Sequence, residues 1–175
     1  YAATIKNGTI NGNVPLYYVN NAENGLFQLE YIVDMGSLSD KELALAVQYL
    51  EFLGTENMTA SELQIELFKL GLSYDVYAAG ERVYVSLSGL DESFEQGVKL
   101  FEGILANVKS DQEKYDNFVA DKLKERNDAK LDKFSILYDG MMNYGMYGSE
   151  APNKNFVSEA DLKAMDVNAL TDKIK

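Results

Sequence analysis

The chain contains no histidine and no cysteine. This stretch of polypeptide therefore lacks the commonest general base, the commonest zinc ligand, and all thiolate and disulfide chemistry. What remains is carboxylate, hydroxyl, phenol, amine and guanidinium. The paired acids Asp91-Glu92 could share acid–base work. The same pair suits the first turn of a helix, where free N–H groups favour negative charge, and that role is the commoner cause of such a pair. No calcium loop of the Asp-x-Asp-x-Asp-Gly type occurs. Tyr144-Gly145-Met146-Tyr147-Gly148 carries two glycines without the strand-before, helix-after setting of a phosphate loop, and reads as a tight turn. Lys122, Lys124, Lys130 and Lys133 alternate with acids, the pattern of a solvated, salt-bridged helix face rather than of a nucleophilic lysine.

Tyrosine is the remaining anomaly, with twelve copies. Tyr17, Tyr18, Tyr31, Tyr49, Tyr74, Tyr77 and Tyr84 could line a wall for peptide, since each offers broad apolar area and a polar tip. Strand propensity alone accounts for most of them as half-buried strand positions. Sixteen basic residues stand against 28 acidic ones, a net charge of −12. That argues against nucleic acid or an anionic membrane as a partner, and no segment is apolar enough to span a bilayer.

The elements that must position these groups follow from punctuation and periodicity. At 175 residues, 46% hydrophobic and 25% charged, the chain suits one globular domain with a core of its own. Its only prolines are Pro15 and Pro152, and with the turn-forming run Gly145 to Asn155 they punctuate the ends. The first quarter reads as strands: a turn at Asn11-Gly12-Asn13, then Leu16 to Val19, then Asn24-Gly25 and an alternating strand from Leu26 to Val33. Capping boxes are expected at Ser39 with Glu42, Thr59 with Glu62 and Ser110 with Glu113, with Ser158 and Asp161 as a shorter-armed version. Asp91 or Ser93 caps a fifth start. The helix after Ser39 is apolar on two faces, Leu43, Val47, Leu50 and Leu53 on one and Leu45, Tyr49 and Phe52 on the other, so it should be buried. A second helix aligns Leu63, Leu67 and Leu70 and stops at Gly71. Ser73 to Tyr77 and Arg82 to Leu90 flank Ala79-Gly80-Glu81 as a hairpin. Two more helices follow, one with Val98, Phe101, Leu105 and Val108 in line, the other apolar at Tyr115, Phe118, Val119 and Leu123 and polar beyond. The order β-β-α-α-β-β-α-α implies an α+β fold: an antiparallel or mixed sheet covered on one face by helices.

One stretch is more specific. Asn24-Gly25-Leu26, the strand to Val33, Asp34-Met35-Gly36-Ser37 and a buried helix ending Glu51-Phe52-Leu53-Gly54-Thr55 resemble the opening of an insulinase/pitrilysin-type zinc metallopeptidase domain. Leu70 to Asp75, the Arg82–Leu90 strand, Tyr144-Gly145 to Pro152 and Glu159 to Leu162 extend the likeness over nearly the whole chain. In that family the helix carries H-x-x-E-H: two His at i and i+4 bind zinc and the Glu polarises the attacking water. Counted back from Gly54-Thr55, these positions fall on Leu45, Gln48 and Tyr49. The family's third ligand, a Glu on a later helix, corresponds to Lys122 in Val119-Ala120-Asp121-Lys122-Leu123. None of the four supplies the required donor. The resemblance therefore implies an inactive metallopeptidase-like domain, residues 1–175, with no catalytic, cofactor or metal residues of its own. It also implies a place in the C-terminal half of a longer chain. Zinc would reside in the catalytic half, in the same polypeptide or a partner subunit, and a peptide substrate would lie in the chamber between. The alternative is a stand-alone structural or binding subunit partnering an active one. A third option, a carboxylate-based hydrolase, lacks any pair of acids that the sequence brings together. The compartment is not readable, with the periplasm or cell envelope among the options for a bacterial source.

Overall fold

The structure is a computed structural model that describes residues 5–151 and 156–175. Pro152 and Asn155, part of the expected turn cluster, lie outside the described residues.

Strands β1 (Lys6–Ile10) and β2 (Val14–Tyr18) form a two-stranded antiparallel hairpin in which every residue is exposed. Its turn sits where expected, with Asn11 at φ +50° and Gly12 at φ +77°, values that Asn and Gly tolerate best. β2 pairs with β1, a strand the sequence did not single out, rather than with β3 (Leu26–Val33). The positive-φ turn folds the chain straight back, so the short polar segment before it becomes the partner.

A separate three-stranded sheet has the order β3-β5-β4, with β4 spanning Leu72–Ala79 and β5 Arg82–Leu90, all antiparallel. Gly80 opens the two-residue β4–β5 turn at φ +53°, the position that type II′ hairpins give to glycine. Alternation sorts the faces. Val83, Val85 and Leu87 on the central strand are buried, and Phe27, Leu29, Tyr31, Tyr74 and Val76 join them in the core. On the opposite face Gln28, Glu30, Ile32, Ser73, Asp75 and Tyr77 are exposed, and Tyr77 stacks on Tyr84 with ring centroids 4.8 Å apart. One face is therefore covered, as an α+β sandwich requires.

Helices α1 (Lys41–Leu50), α2 (Ala60–Lys69) and α3 (Phe94–Asn107) pack on the covered face, α1 and α2 against β4 and α3 against β5. Helix α4 (Gln112–Ala129) buries Tyr115, Phe118 and Val119 in its first half and runs into solvent beyond, as the change in polarity predicts. A helical arm follows: α5 (Lys133–Ser135), π-type turns over Ile136–Met142, and α6 (Asn143–Tyr147), ended by Gly148 at φ +59°. The expected tight turn at Tyr144–Gly148 is therefore helical through Tyr147. Short helices α7 (Glu159–Ala164) and α8 (Val167–Asp172) close the chain against α4 and α1.

Capping departs from expectation in three places. The Thr59–Glu62 box forms, and the Ser158 hydroxyl accepts from the Asp161 N–H at 3.1 Å. Helix α1, however, is capped by Asp40, which accepts from the Glu42 and Leu43 N–H groups at 2.9 and 3.0 Å. Asp40 also takes an ion pair from Lys173 at 2.8 Å. A carboxylate with three partners outcompetes the Ser39 hydroxyl, and the lysine beside it holds its carboxyl below the ordinary range. Helix α4 is capped by Asp111 rather than Ser110, whose hydroxyl donates to Asn168. Neither Asp91 nor Ser93 caps with its side chain, because the chain enters α3 through a 3₁₀ turn.

Two glycines of the quoted motif stand where backbone passes backbone. A Cβ on the buried Gly36 would collide with Arg82 N and the Gly80 carbonyl, and one on Gly54 with the Met58 carbonyl. Gly36→Ala and Gly54→Ala should each lower stability by roughly 2 kcal/mol or more. Gly8→Ala, with nothing within 4 Å, should stay within about 0.5 kcal/mol. Urea denaturation midpoints check both. The phenols of Tyr31, Tyr74 and Tyr115 are each pushed up from 10.0 to about 12, first by burial. The unfolded chain loses these protons near pH 10 and the folded chain near 12, so the unfolded state binds fewer protons in between. Stability should be retained below pH 10 and fall as pH rises toward 12. In a spectroscopic tyrosine titration these groups should ionise late, together with unfolding.

Candidate functional site

Leu45, Gln48 and Tyr49 share α1, which is buried on nearly all sides. Leu45 lies in the core and Gln48 is half-buried, while Tyr49 is fully enclosed. The Tyr49 hydroxyl donates to the Asp111 carbonyl at 2.5 Å and accepts from the Asp111 N–H at 3.1 Å. Its ring meets Tyr115 edge-on at 5.3 Å and Phe118 at 5.7 Å. Burial is the main reason its phenol is raised above the ordinary value. This side chain is an anchor between helices: it gives the Asp111 N–H its acceptor and donates to the Asp111 carbonyl, which also accepts from the Tyr115 N–H at 3.0 Å.

Lys122 is on α4, one turn beyond Phe118. Its ammonium lies 5.9 Å from the Phe118 ring centroid and pairs with Glu125 at 3.0 Å. The structure thus brings Lys122 to the α1 surface through Phe118, which also packs on Phe52 at 5.6 Å. Phe52, expected to be buried with α1, is half exposed, because α1 ends at Leu50 and the chain turns there.

Sequence reasoning missed a mixed-charge group at this end of α1. The Glu51 carboxyl is raised above its ordinary value by burial and by the Asp75 charge, against the opposing pull of Lys122. The Glu51 charge in turn adds to the burial that raises Tyr74. These residues come from the end cap of α1, from β4 and from α4, and no local pattern links them.

As a zinc donor set the four motif positions do not fit. Leucine has no lone pair, a buried protonated phenol already committed to Asp111 is a poor ligand, a neutral amide is a poor base, and an ammonium repels a cation. Among the described residues no group of three or more carboxylates or other metal-ligating side chains is placed to hold a metal ion. A cleft of about 330 Å³ opens beside Thr55, Met58, Glu62 and Lys114, and a groove of about 680 Å³ lies between α4 and α7. Neither is lined by Leu45, Gln48, Tyr49 or Lys122. No described helix is long and apolar enough to cross a membrane.

No protein-family model and no curated protein sequence matches the chain. Solved structures match its fold. The inactive domain of an M16 peptidase from Pseudomonas fluorescens superposes with a TM-score of 0.81 at 16% identity, over 97% of this chain and 42% of that one. The periplasmic protease PqqL from Escherichia coli gives 0.77 at 13% identity, over 98% of this chain and 19% of that one. The ferredoxin protease FusC, solved with Arabidopsis ferredoxin, gives 0.79 at 13%, over 99% of this chain and 20% of that one. The chain therefore has the α+β fold of M16 peptidase domains and spans between about one fifth and two fifths of these neighbours.

Tyr49→Phe removes both hydrogen bonds and should cost about 1–3 kcal/mol. Tyr49→His, smaller and unable to reach both groups, should cost more. Lys122→Ala, at a half-buried surface pair, should cost under about 1 kcal/mol. Thermal unfolding of the three variants ranks them.

Proposed function

We propose that this chain is a non-catalytic domain of a zinc metallopeptidase of the insulinase/pitrilysin type. In this reading it forms part of the wall enclosing a peptide substrate. It docks against a catalytic half, in the same polypeptide or a partner subunit, that carries the zinc. Its own H-x-x-E-H positions are Leu45, Gln48 and Tyr49, with Lys122 in place of the third ligand, and the domain holds no cofactor. The observation that carries the reading is the fate of Tyr49. The position the resemblance assigns to a metal ligand is turned into the core and bound to both backbone groups of Asp111. The fold likeness to an inactive M16 domain supports it.

The chemistry of the positions is consistent with a scaffold kept for shape. Zinc hydrolysis needs an exposed cation with an open coordination position and a base beside the attacking water. Here the corresponding helix face is packed against aromatic rings.

The purified chain should take up no stoichiometric zinc at neutral pH and should hydrolyse no peptide library. Isothermal calorimetry that found one tight, EDTA-reversible zinc site would overturn the reading. A full-length gene with no H-x-x-E-H domain, and no partner chain carrying one, would do the same.

A further inference from the structure

Ten large apolar or aromatic side chains between Leu131 and Tyr147 are exposed, among them Leu131 at 81%, Phe134 at 66%, Met141 at 63% and Tyr144 at 62%. No residue of α5, of the π-type turns or of α6 is buried. Ser135, Asp139 and Asn143 line one side at four-residue spacing, and the apolar side chains take the remaining surface, more than a solvated helix carries. At roughly half exposure of about 200 Å² per side chain, the arm presents on the order of 1,000 Å². That exceeds the largest apolar patch of a typical monomer, about 300–600 Å². It matches one side of a stable protein interface, about 800 Å².

We propose that this arm is a dimerisation element, covered by the arm of a second copy of this chain in a two-fold contact. Three observations select that occupant. The area is what one side of a stable dimer needs. Lys133 and Asp139 are the only charges from Lys133 to Tyr147 and they cancel, in a chain of net charge −12. The arm is thus a surface on which two like-charged molecules can meet with little repulsion. The segment is also self-complementary: it is rich in methionine and tyrosine, which pack well on each other, and Phe134 already stacks on Tyr138 at 4.3 Å. A two-fold contact presents the same patch from both sides and closes without leaving a free half. A membrane surface fits poorly, because an interfacial helix needs a cationic polar face and this one has a single lysine. The proposal is independent of the peptidase reading, and its failure leaves that reading untouched.

Sedimentation velocity on the 175-residue chain should show a dimer in the micromolar range. Leu137→Asp and Met141→Asp should weaken it at least about tenfold with unchanged circular dichroism, since neither side chain is buried. The chain has no native cysteine, so a single introduced thiol reports proximity cleanly. Met141→Cys should cross-link chain to chain under oxidation, and Tyr17→Cys on the exposed hairpin should not. A monomer at every concentration would overturn the proposal and give the arm to another occupant, such as a further domain of a longer polypeptide. A dimer indifferent to Leu137→Asp, or equal cross-linking from both thiols, would also overturn it.

Discussion

The contact between the Tyr49 hydroxyl and both backbone groups of Asp111 is the constraint on which the helical layer depends. One side chain links the last turn of α1 to the residue that caps α4, 62 positions later. The partners on either side extend the link. Asp111 caps α4 through its carboxylate, which accepts from the Lys114 N–H at 3.1 Å. One turn on, Tyr115 sends its hydroxyl to the Leu162 carbonyl at 2.9 Å and so holds α7. At the other end of α1, Asp40 caps the helix and takes the Lys173 ion pair that holds the chain terminus. Each polar atom in this series is satisfied, which is what allows the aromatic rings around them to exclude water without penalty.

That arrangement leaves the ends of α1 fixed by groups other than Leu45 and Gln48. The turns that deliver α1 depend on Gly36 and Gly54, where the obstacle to a larger residue is backbone and not side chain. Nothing at 45, 48 or 49 enters those turns. Tyr49 lies inside the core, and its hydrogen bonds to Asp111 replace those its hydroxyl would make with water.

Much of this was legible in the residues. Alternation in Leu26–Val33 and Arg82–Leu90 set the strands and their faces, and Gly80 set the turn. The Gly71 stop and the Thr59–Glu62 box are local chemistry and appear as read. What was not legible depended on distant partners. Ser39 and Ser110 are adequate caps in isolation, and lost to adjacent aspartates with tertiary roles, Asp40 through Lys173 and Asp111 through Tyr49. Tyr49 and Tyr115 are core residues of helices, so strand propensity does not account for them. The group of Glu51, Asp75 and Lys122 joins three elements far apart in sequence, and no spacing rule points to it.

The arm from Leu131 to Tyr147 shows the opposite relation between sequence and fold. Its residue types belong in a core, yet none of the residues of α5, the π-type turns or α6 is buried. The reason lies in what the body already holds. The covered face of the three-stranded sheet is filled by α1, α2 and α3, and α4 closes against α7. An apolar segment that finds the core occupied must stay exposed at a cost in water or be covered by something outside the domain. Its wider π-type turns fit that situation, since such turns are rare in unconstrained helices and concentrate where a helix serves a contact. Local helix formation and burial, which coincide in α1, are separated here, and only the second awaits a partner.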